Sequence, residues 1–569
     1  MTSFISVTAL AVLWANVIPV QSVGGQDSVA RTIATIFAPL ARNDAPGCVV
    51  GVFRAGDILY SGAFGMADVA HHLPLTDTTG LSIASSSKQF TAFAVLLLEA
   101  EGKIRLTDNI RRYIPEVPEF EQPITIRELL NHTSGLRDYW NLFDMAGWRV
   151  SDVETQADML WLIHRQQALN HKPGVEFLYN NTGYVLLALL VERVSGTSFR
   201  RFVGERVFRP LGMTHSDIKA EMGQIVDGLG TGYWAHDPAD LHMAHPPYSF
   251  AGSTGVVSTV RDLARWDANF YTPRVGTRAL IDSMSSREHL ADGTSVGYGK
   301  GLFLGTHRGH RMISHAGSDP GYTAEFIRFP EERLSVTVLC NGFDIAPTPL
   351  ALQVADLYLP PADNVANASR ASVPEGAPVL GVASTILPRA LAGMYVNRTS
   401  GGIQGIHQFF YESDGLLLDG GGEGRFPLAP LGSNAYRLTA APRRYVFTFA
   451  QHRGAPITVE ENIEGSPTRV YTRVPDAMRS GSPLEALVGA YHSPELDVTW
   501  TFVQRAGKLV LLRHRTEPDP LATHLQGDVY QSEHGFMLEF SRGTSGNATS
   551  VYASTERVRR VRFIRARGP

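Results

Sequence analysis

Apolar residues recur at helical spacing soon after residue 26: Val29, Ile33, Ile36 and Leu40 predict an amphipathic helix over 28–43. The period then shortens. Two runs, CVVGVFRAG (48–56) and DILYSGAFGMAD (57–68), read as strands joined by a tight Ala-Gly-Asp turn. A long Ala-, Leu- and Phe-rich helix follows from about Lys88 to Gly102, and helical stretches continue through 125–131, 153–166 and 182–195. From 299 to 340 strands return as GKGLFLG, HRMISHAG, YTAEFIRFP and LSVTVLC. Strands open and close this region and helices fill its middle. That order predicts one sheet assembled from both ends of a domain, an α+β fold rather than a doubly wound parallel sheet.

Residues 361–388 are rich in Pro, Ala and Ser and read as a linker. Beyond them short strands and turns replace helical periodicity, and a repeat emerges. Leu391-Ala-Gly393-Met-Tyr395 returns as Leu487-Val-Gly489-Ala-Tyr491, 96 residues later. Each copy ends in an Arg/Val-rich strand, RVYTRV (469–474) and RVRFIR (560–565). Two units, 389–476 and 484–569, are therefore predicted as small antiparallel β-barrels, with two unrelated sandwiches as the alternative. A linker of this kind predicts that they keep their own cores. At the other end, FISVTALAVLWANVIPV (4–20), followed by small and polar residues, has the texture of a secretory signal over 1–26. Export to the periplasm or medium is the expectation, leaving a catalytic region at 27–360. Against a signal, no Lys or Arg precedes the run and Pro19 breaks it, so a frayed N-terminal segment on a cytoplasmic enzyme is the alternative; a membrane anchor needs about 20 apolar residues and charged flanks and is the weaker reading.

Composition narrows the function classes. Hydrophobic residues make up 44% and charged residues 19% of 569, with a net charge of −4. That balance excludes the basic footprint of a nucleic-acid binder. Two cysteines exclude a disulfide-rich scaffold and a Cys-rich metal module. Cys48 and Cys340 both sit in apolar strand-like runs and are expected as buried thiols. Lysine is scarce, at Lys88, Lys103, Lys172, Lys219, Lys300 and Lys508 alone, so a motif built on lysine stands out.

Such a motif is Ser85-Ser86-Ser87-Lys88 at the start of the long helix. Residues i and i+3 share a helical face, so the Lys88 amine can reach the Ser85 hydroxyl. A serine is a weak nucleophile until something accepts its proton, and a lysine of lowered pKa can do so. Taken alone, the serine reads as a helix cap. Tyr179-Asn180-Asn181 opens a second helix; a tyrosine near cations can have a lowered pKa and act as base, and Asn181 can hold a substrate amide and the lysine. His315-Ala316-Gly317-Ser318 lies between strands. Gly317 is expected to let a substrate backbone approach, and the backbone N–H groups of Ser318 and Ser85 to form an oxyanion hole.

These motifs fall in the order S-x-x-K, Y-x-N, H-x-G, with Tyr179 94 residues after Ser85 and His315 136 residues after Tyr179. Order and spacing resemble the penicillin-recognising serine hydrolases, and the surroundings resemble their class C β-lactamase branch. IASSSKQFTAF (83–93), LLNHTSGL (129–136), PGVEFLYNNTGY (173–184), RPLGM (209–213), GVVSTVRDLARW (255–266) and HAGSDPGY (315–322) all look like segments of that family, across about 28–350. The resemblance implies a β-lactamase/transpeptidase-like catalytic domain, an antiparallel sheet flanked by helices. Within the branch, SGLRDYW (134–140), the paired C-terminal units and YHSPELD (491–497) resemble the bacterial D-aminopeptidases. In those enzymes a loop of the last barrel reaches the active site and helps hold the substrate's amino group. Here DVYQSEHGFMLEFSRG (528–543) reads as a tight turn between strands with no long insert. Asn180 also stands where related enzymes often carry Ser, Cys or Ala. The departures bear on aminopeptidase specificity, not on hydrolase chemistry.

Other motifs are set aside. Gly293-Thr-Ser295-Val-Gly297 matches a nucleophile elbow, but a strand follows it where the elbow needs a helix. His236, His242, His245, His307 and His310 sit in loop-like segments without metal-ligand spacing. Sequons occur at Asn131, Asn180, Asn367, Asn397 and Asn547, two of them inside the catalytic segments.

The reading is a serine hydrolase working through an acyl-enzyme. Ser85 is its nucleophile, Lys88 and Tyr179 its base pair, and His315 supports Tyr179 and the substrate end. Asn181, Gly317 and Ser318 bind a small peptide, amide or ester substrate. No metal or organic cofactor is needed. Cleavage of D-amino-acid amides leads. An esterase, or a DD-peptidase or weak β-lactamase, are alternatives on the same site, and a non-catalytic binding protein is the alternative of another class. H-x-G in place of K-T-G removes a fixed cation that would bind a β-lactam carboxylate. Ser85→Ala is expected to abolish turnover of every substrate with little change in melting temperature, since it deletes chemistry and little packing. Activity lost in Ser295→Ala and kept in Ser85→Ala would reassign the site.

Overall fold

The computed structural model describes residues 26–234 and 240–360, and 386–566 apart from 400–401, 413–414, 420–424, 433, 439–444, 453, 464–467, 475–482, 522 and 527. The expected signal segment, apart from Gln26, and nearly all of the linker lie outside the described residues. Six strands form the main sheet: β1 (Cys48–Arg54), β2 (Asp57–Phe64), β3 (Phe303–His307), β4 (His310–Asp319), β5 (Tyr322–Phe329) and β6 (Leu334–Cys340). Their order is β3-β4-β5-β6-β1-β2, every pairing antiparallel, so both ends of the domain meet at β1–β6 as the pattern predicts.

That pairing corrects the expectation of two free thiols. The register sets Cys48 directly opposite Cys340. At a Cα separation of 4.0 Å the sulfurs are within bonding reach, and they form a disulfide that links positions 292 residues apart.

Strands β1, β5 and β6 are buried along nearly their whole length because helices cover both faces. Successive side chains of a strand point to opposite faces. Val50, Val52, Val336 and Val338 pack with Ile33 and Phe37 of helix α1 (Gln26–Phe37). Val49 and Phe53 point the other way, into the larger core. There lie α2 (Lys88–Ala100), α3 (Asn181–Ser195) and α4 (Val260–Tyr271). Helix α2 is buried from Lys88 to Leu98. Helix α5 (Pro347–Asp356) covers the first face beside α1. Among the described residues no helix is long and apolar enough to cross a membrane.

One feature of the sheet positions the site. Strand β3 pairs with β4 only from His310 to Ser314. Residues 315–319 of β4 run past the end of β3 and keep a sheet edge that is not paired to it.

The sequence repeat has a physical reason. In each C-terminal unit the first strand pairs with the last, Tyr395 with Arg473 and Tyr491 with Arg565. Each tyrosine donates to the carbonyl four residues earlier, Tyr395 to Leu391 at 3.0 Å and Tyr491 to Leu487 at 2.9 Å. Gly393 and Gly489 have φ of +141° and +150°, and a side chain at either would meet the Arg473 or Arg565 guanidinium. The first unit closes as an eight-stranded barrel. The second is a nine-stranded antiparallel sheet curved as a half-barrel.

Independent cores hold for the first unit only. Its interior, including Tyr395, Phe409, Phe447 and Phe449, forms a separate cluster. The second unit's Trp500, Phe536 and Phe563 belong to the same continuous core as the catalytic domain. The Trp500 indole donates to the Met145 carbonyl at 3.0 Å, and Arg513 pairs with Asp144 at 2.9 Å. Arg137 of SGLRDYW is buried against Glu495 of YHSPELD and donates to the Arg559 carbonyl at 2.8 Å. The two segments that resemble D-aminopeptidases are thus two faces of one interface.

Arg137→Ala leaves Glu495 buried without its cation and is expected to cost about 3–5 kcal/mol in urea unfolding. The double variant Arg137→Met/Glu495→Leu is expected to recover most of that loss. Equal stability of Arg137→Ala and wild type would show that the pair does not hold the units together.

Candidate active site

The segment expected to carry the nucleophile is a 3-10 turn, Ala84–Ser87, running into α2. Ala84 has a φ of +46°, in the left-handed region that a side chain disfavours. Of the three serines, Ser86 donates to the His315 carbonyl at 2.6 Å and Ser87 accepts from the Val256 N–H at 3.0 Å, both buried. Ser85 is partly exposed.

The Lys88 amine is fully buried and donates to three oxygens: Ser85 Oγ at 2.9 Å, Asn181 Oδ1 at 2.9 Å and the Ser253 carbonyl at 2.8 Å. Three acceptors match the three protons of an ammonium. Burial pulls its pKa down to about 7, the Asp138 and Asp319 carboxylates oppose that, and Arg557 adds to it. Near neutrality this amine exchanges a proton readily, as a general base requires.

Tyr179 hydrogen-bonds Ser85, and its ring centroid lies 4.9 Å from Lys88 Nζ. The expected lowering of its pKa does not occur. Burial pushes it well above the ordinary tyrosine value, and the pull of Arg557 in the other direction is smaller. Tyr179 is therefore held as a protonated phenol beside the Ser85 hydroxyl.

Asn180 caps α3, accepting from the Gly183 N–H at 2.8 Å and donating to the Leu136 carbonyl at 2.8 Å. This packing explains a residue that the motif comparison left odd. Asn180 and Asn131 are buried, so neither sequon is open to a glycan. The Asn181 N–H donates to Asp138 Oδ2 at 2.6 Å, which orients its side chain toward Lys88.

His315 is buried and its pKa falls to about 3, through burial and then Lys88, so the ring is neutral. Its Nε2 meets the Tyr298 hydroxyl at 3.1 Å. Toward Tyr179 there is only a ring contact, at 6.1 Å between centroids, so the hydrogen-bonded support goes to Tyr298. Gly317 is also required by packing. A Cβ there would sit 2.3 Å from the Ile83 carbonyl and 2.9 Å from the Ser85 nitrogen. Its lack of a side chain lets β4 press against the nucleophile turn. Ser318 is exposed on the overhanging edge of β4.

Four residues escape sequence reasoning. Asp138 lies in SGLRDYW and Ser253 in a Gly-rich run before α4. Tyr298 directly follows the rejected G-x-S-x-G, whose Ser295 lies in a two-residue strand. Arg557 comes from the last unit. The segment 528–543 makes no long insert, as expected, but another turn does the reaching. Between strands Ala548–Ser554 and Val561–Arg565 the chain brings the Arg557 guanidinium to 5.2 Å from the Tyr179 ring centroid. His307 and His310, set aside as metal ligands, pair with Asp356 and Glu332.

Known proteins share this arrangement of elements. The family model described as Beta-lactamase matches residues 32–357. The chain is 31% identical to penicillin-binding protein 4* of Bacillus subtilis over 326 residues, 55% of this chain and 71% of that protein. It is 26% identical to the D-aminopeptidase of Brucella anthropi over 475 residues, 82% of each. An octameric penicillin-binding protein homologue from Pyrococcus abyssi has the same fold, with a TM-score of 0.52 at 23% identity, over 79% of this chain and 100% of that one.

The acylation rate, measured as kcat/KM, is expected to rise with pH through an apparent pKa of about 7, since only neutral Lys88 accepts the Ser85 proton. Lys88→Arg is expected to be nearly as inactive as Lys88→Ala, because a guanidinium stays protonated. More than about a tenth of wild-type kcat in the arginine variant, a loss below about 1.4 kcal/mol, would reduce Lys88 to an electrostatic role.

Proposed function

The chain belongs to the Beta-lactamase family and is a serine hydrolase, and from that premise we propose that it cleaves amide bonds of D-amino-acid amides or peptides through an acyl-enzyme on Ser85. The observation that carries the chemistry is the buried amine held 2.9 Å from the Ser85 hydroxyl with its pKa near neutrality. Neutral Lys88 takes the hydroxyl proton as Ser85 Oγ bonds to the carbonyl carbon. The N–H groups of Ser85 and Ser318 stabilise the oxyanion, as glycine at 317 keeps strand and turn in contact. Asn181, already oriented by Asp138, holds the substrate amide. When the C–N bond breaks, the Tyr179 phenol gives its proton to the leaving nitrogen, and the proton on Lys88 replaces it. Water then attacks the ester carbonyl by the same route in reverse and frees Ser85. His315 stays neutral and fixes Tyr298 against the site.

The preference for D-amino-acid amides is supported by the Brucella anthropi relative, whose match over 82% of this chain is too long to be confined to the catalytic domain. Export is proposed on the apolar N-terminal run together with the Cys48–Cys340 disulfide, which suits an oxidising compartment.

A substrate panel tests the reading. D-alanyl p-nitroanilide is expected to outrun its L-isomer by about 100-fold in kcat/KM, a ratio that pocket shape alone supplies. Hydrolysis of p-nitrophenyl esters with no amide turnover would make the enzyme an esterase. Turnover confined to D-Ala-D-Ala peptides or a chromogenic cephalosporin would place it with the peptidases or β-lactamases. No adduct on Ser85 with a fluorophosphonate at any pH would favour the binding-protein alternative.

A further inference from the structure

His132, in the segment LLNHTSGL (129–136), lies two residues past the short helix Ile126–Leu130 and has a backbone φ of +60°. Just past a helix end that left-handed conformation usually belongs to Gly or Asn. A larger side chain is strained there, and such strain persists only where the surroundings impose it. The side chain is buried, 1% exposed.

The strained residue brackets Tyr179. Its carbonyl accepts from the Leu178 N–H at 2.9 Å, and its Nδ1 accepts from the Asn180 N–H at 3.1 Å. The residues on either side of Tyr179 are thus fastened to one residue. The imidazole also lies against the Tyr179 ring, with 4.3 Å between centroids. Asn180 is held from its far side as well, its amide donating to the Leu136 carbonyl of the same segment.

His132 is not placed to move a proton. Burial and then Lys88 hold its pKa well below the usual histidine value, so the ring is neutral. Nδ1 accepts a hydrogen bond, which puts the ring proton on Nε2. Nε2 is buried and has no hydrogen-bond partner among the described residues; the Tyr298 and Tyr184 rings lie beside the imidazole, at 4.6 and 5.1 Å between centroids. A ring without a partner on its donor side holds its neighbours and relays nothing.

We propose that His132 is a positioning residue that clamps residues 178–180 and so aims the Tyr179 phenol at the leaving nitrogen. This rests on the reading above in which Tyr179 gives its proton to that nitrogen. An amide nitrogen needs a proton to leave, whereas p-nitrophenolate leaves without one. Loss of the clamp is therefore expected to separate two substrates that share the attack of Ser85.

The test uses the full chain as wild type, His132→Gly, His132→Asn and Tyr179→Phe. Each is measured on D-alanyl p-nitroanilide for kcat and KM, and in the acylation burst with p-nitrophenyl acetate. Glycine removes the side chain and suits the backbone angle. Asparagine tolerates that angle and offers Oδ1 as an acceptor in place of Nδ1. His132→Gly is expected to lose about thirtyfold in kcat and in kcat/KM for the anilide, with KM and the ester burst rate within about threefold of wild type. His132→Asn is expected to recover most of that loss. Equal losses on both substrates would make His132 a merely structural residue and overturn the proposal, as would no loss on either. Should His132→Gly fail to fold, His132→Phe, which keeps a ring and lacks the acceptor, is expected to show the same split; full anilide activity in it overturns the clamp. Tyr179→Phe tells the two readings apart. A split there with none in His132→Gly removes this inference alone. No split in Tyr179→Phe removes the acid role of Tyr179 and this inference with it.

Discussion

The arrangement hangs on one amine kept out of water. A buried ammonium is costly unless every proton finds an acceptor. The three acceptors of Lys88 come from three separate stretches: the nucleophile turn, the first residue of α3, and the loop before α4. The fold therefore has to bring segments 165 residues apart together at hydrogen-bond distance. That requirement explains why α2 is buried from Lys88 to Leu98, and why Ser86 and Ser87 tie its start to β4 and to the strand before α4. The left-handed Ala84 is part of the same accommodation.

The second constraint is that the phenol partner of this amine is located through the C-terminal units. Glu176, three residues before Tyr179, is gripped by Arg559 of the last unit and by Arg469 of the barrel at 2.7 Å. Those cations hold its carboxyl down to about 2, against a burial that would raise it. Glu176 thus stays ionised over any working pH. Its charge fastens the strand-like approach to α3 between the two units, so catalytic geometry and domain packing are not separable here.

Much of this was legible in the sequence. The order of helices and strands, the sheet closed from both ends and the repeated C-terminal units follow from periodicity and repeat, and the cluster Ser85, Lys88, Tyr179 and Asn181 is what the family resemblance of the motif order implies. What was not legible depends on distance across the fold. The disulfide needed the register of β1 on β6. The pKa of Tyr179 needed its burial, which outweighs a neighbouring cation. Arg557 carries no local signal, because an arginine in a turn of an Arg-rich strand looks like any surface arginine. Arg137 and Glu495 were visible as parts of two resembling segments, but only their contact shows why those segments go together.

Charge distribution around the nucleophile then has a consistent logic. Asp138 and Asp319 are both buried, and burial raises both their pKa values, that of Asp319 to about 6. Asp319 is held by Ser82 at 3.2 Å and by Thr254, and its charge favours the protonated amine. Arg557 favours the neutral one. The amine sits between these opposing fields, and burial tips it toward its neutral form. A cation on β4, close against the amine, would press the same way but occupy the overhanging edge of that strand. Supplied from a separate unit, the charge of Arg557 reaches the Tyr179 ring from outside, and residues 315–319 of β4 keep an edge that is not paired to β3.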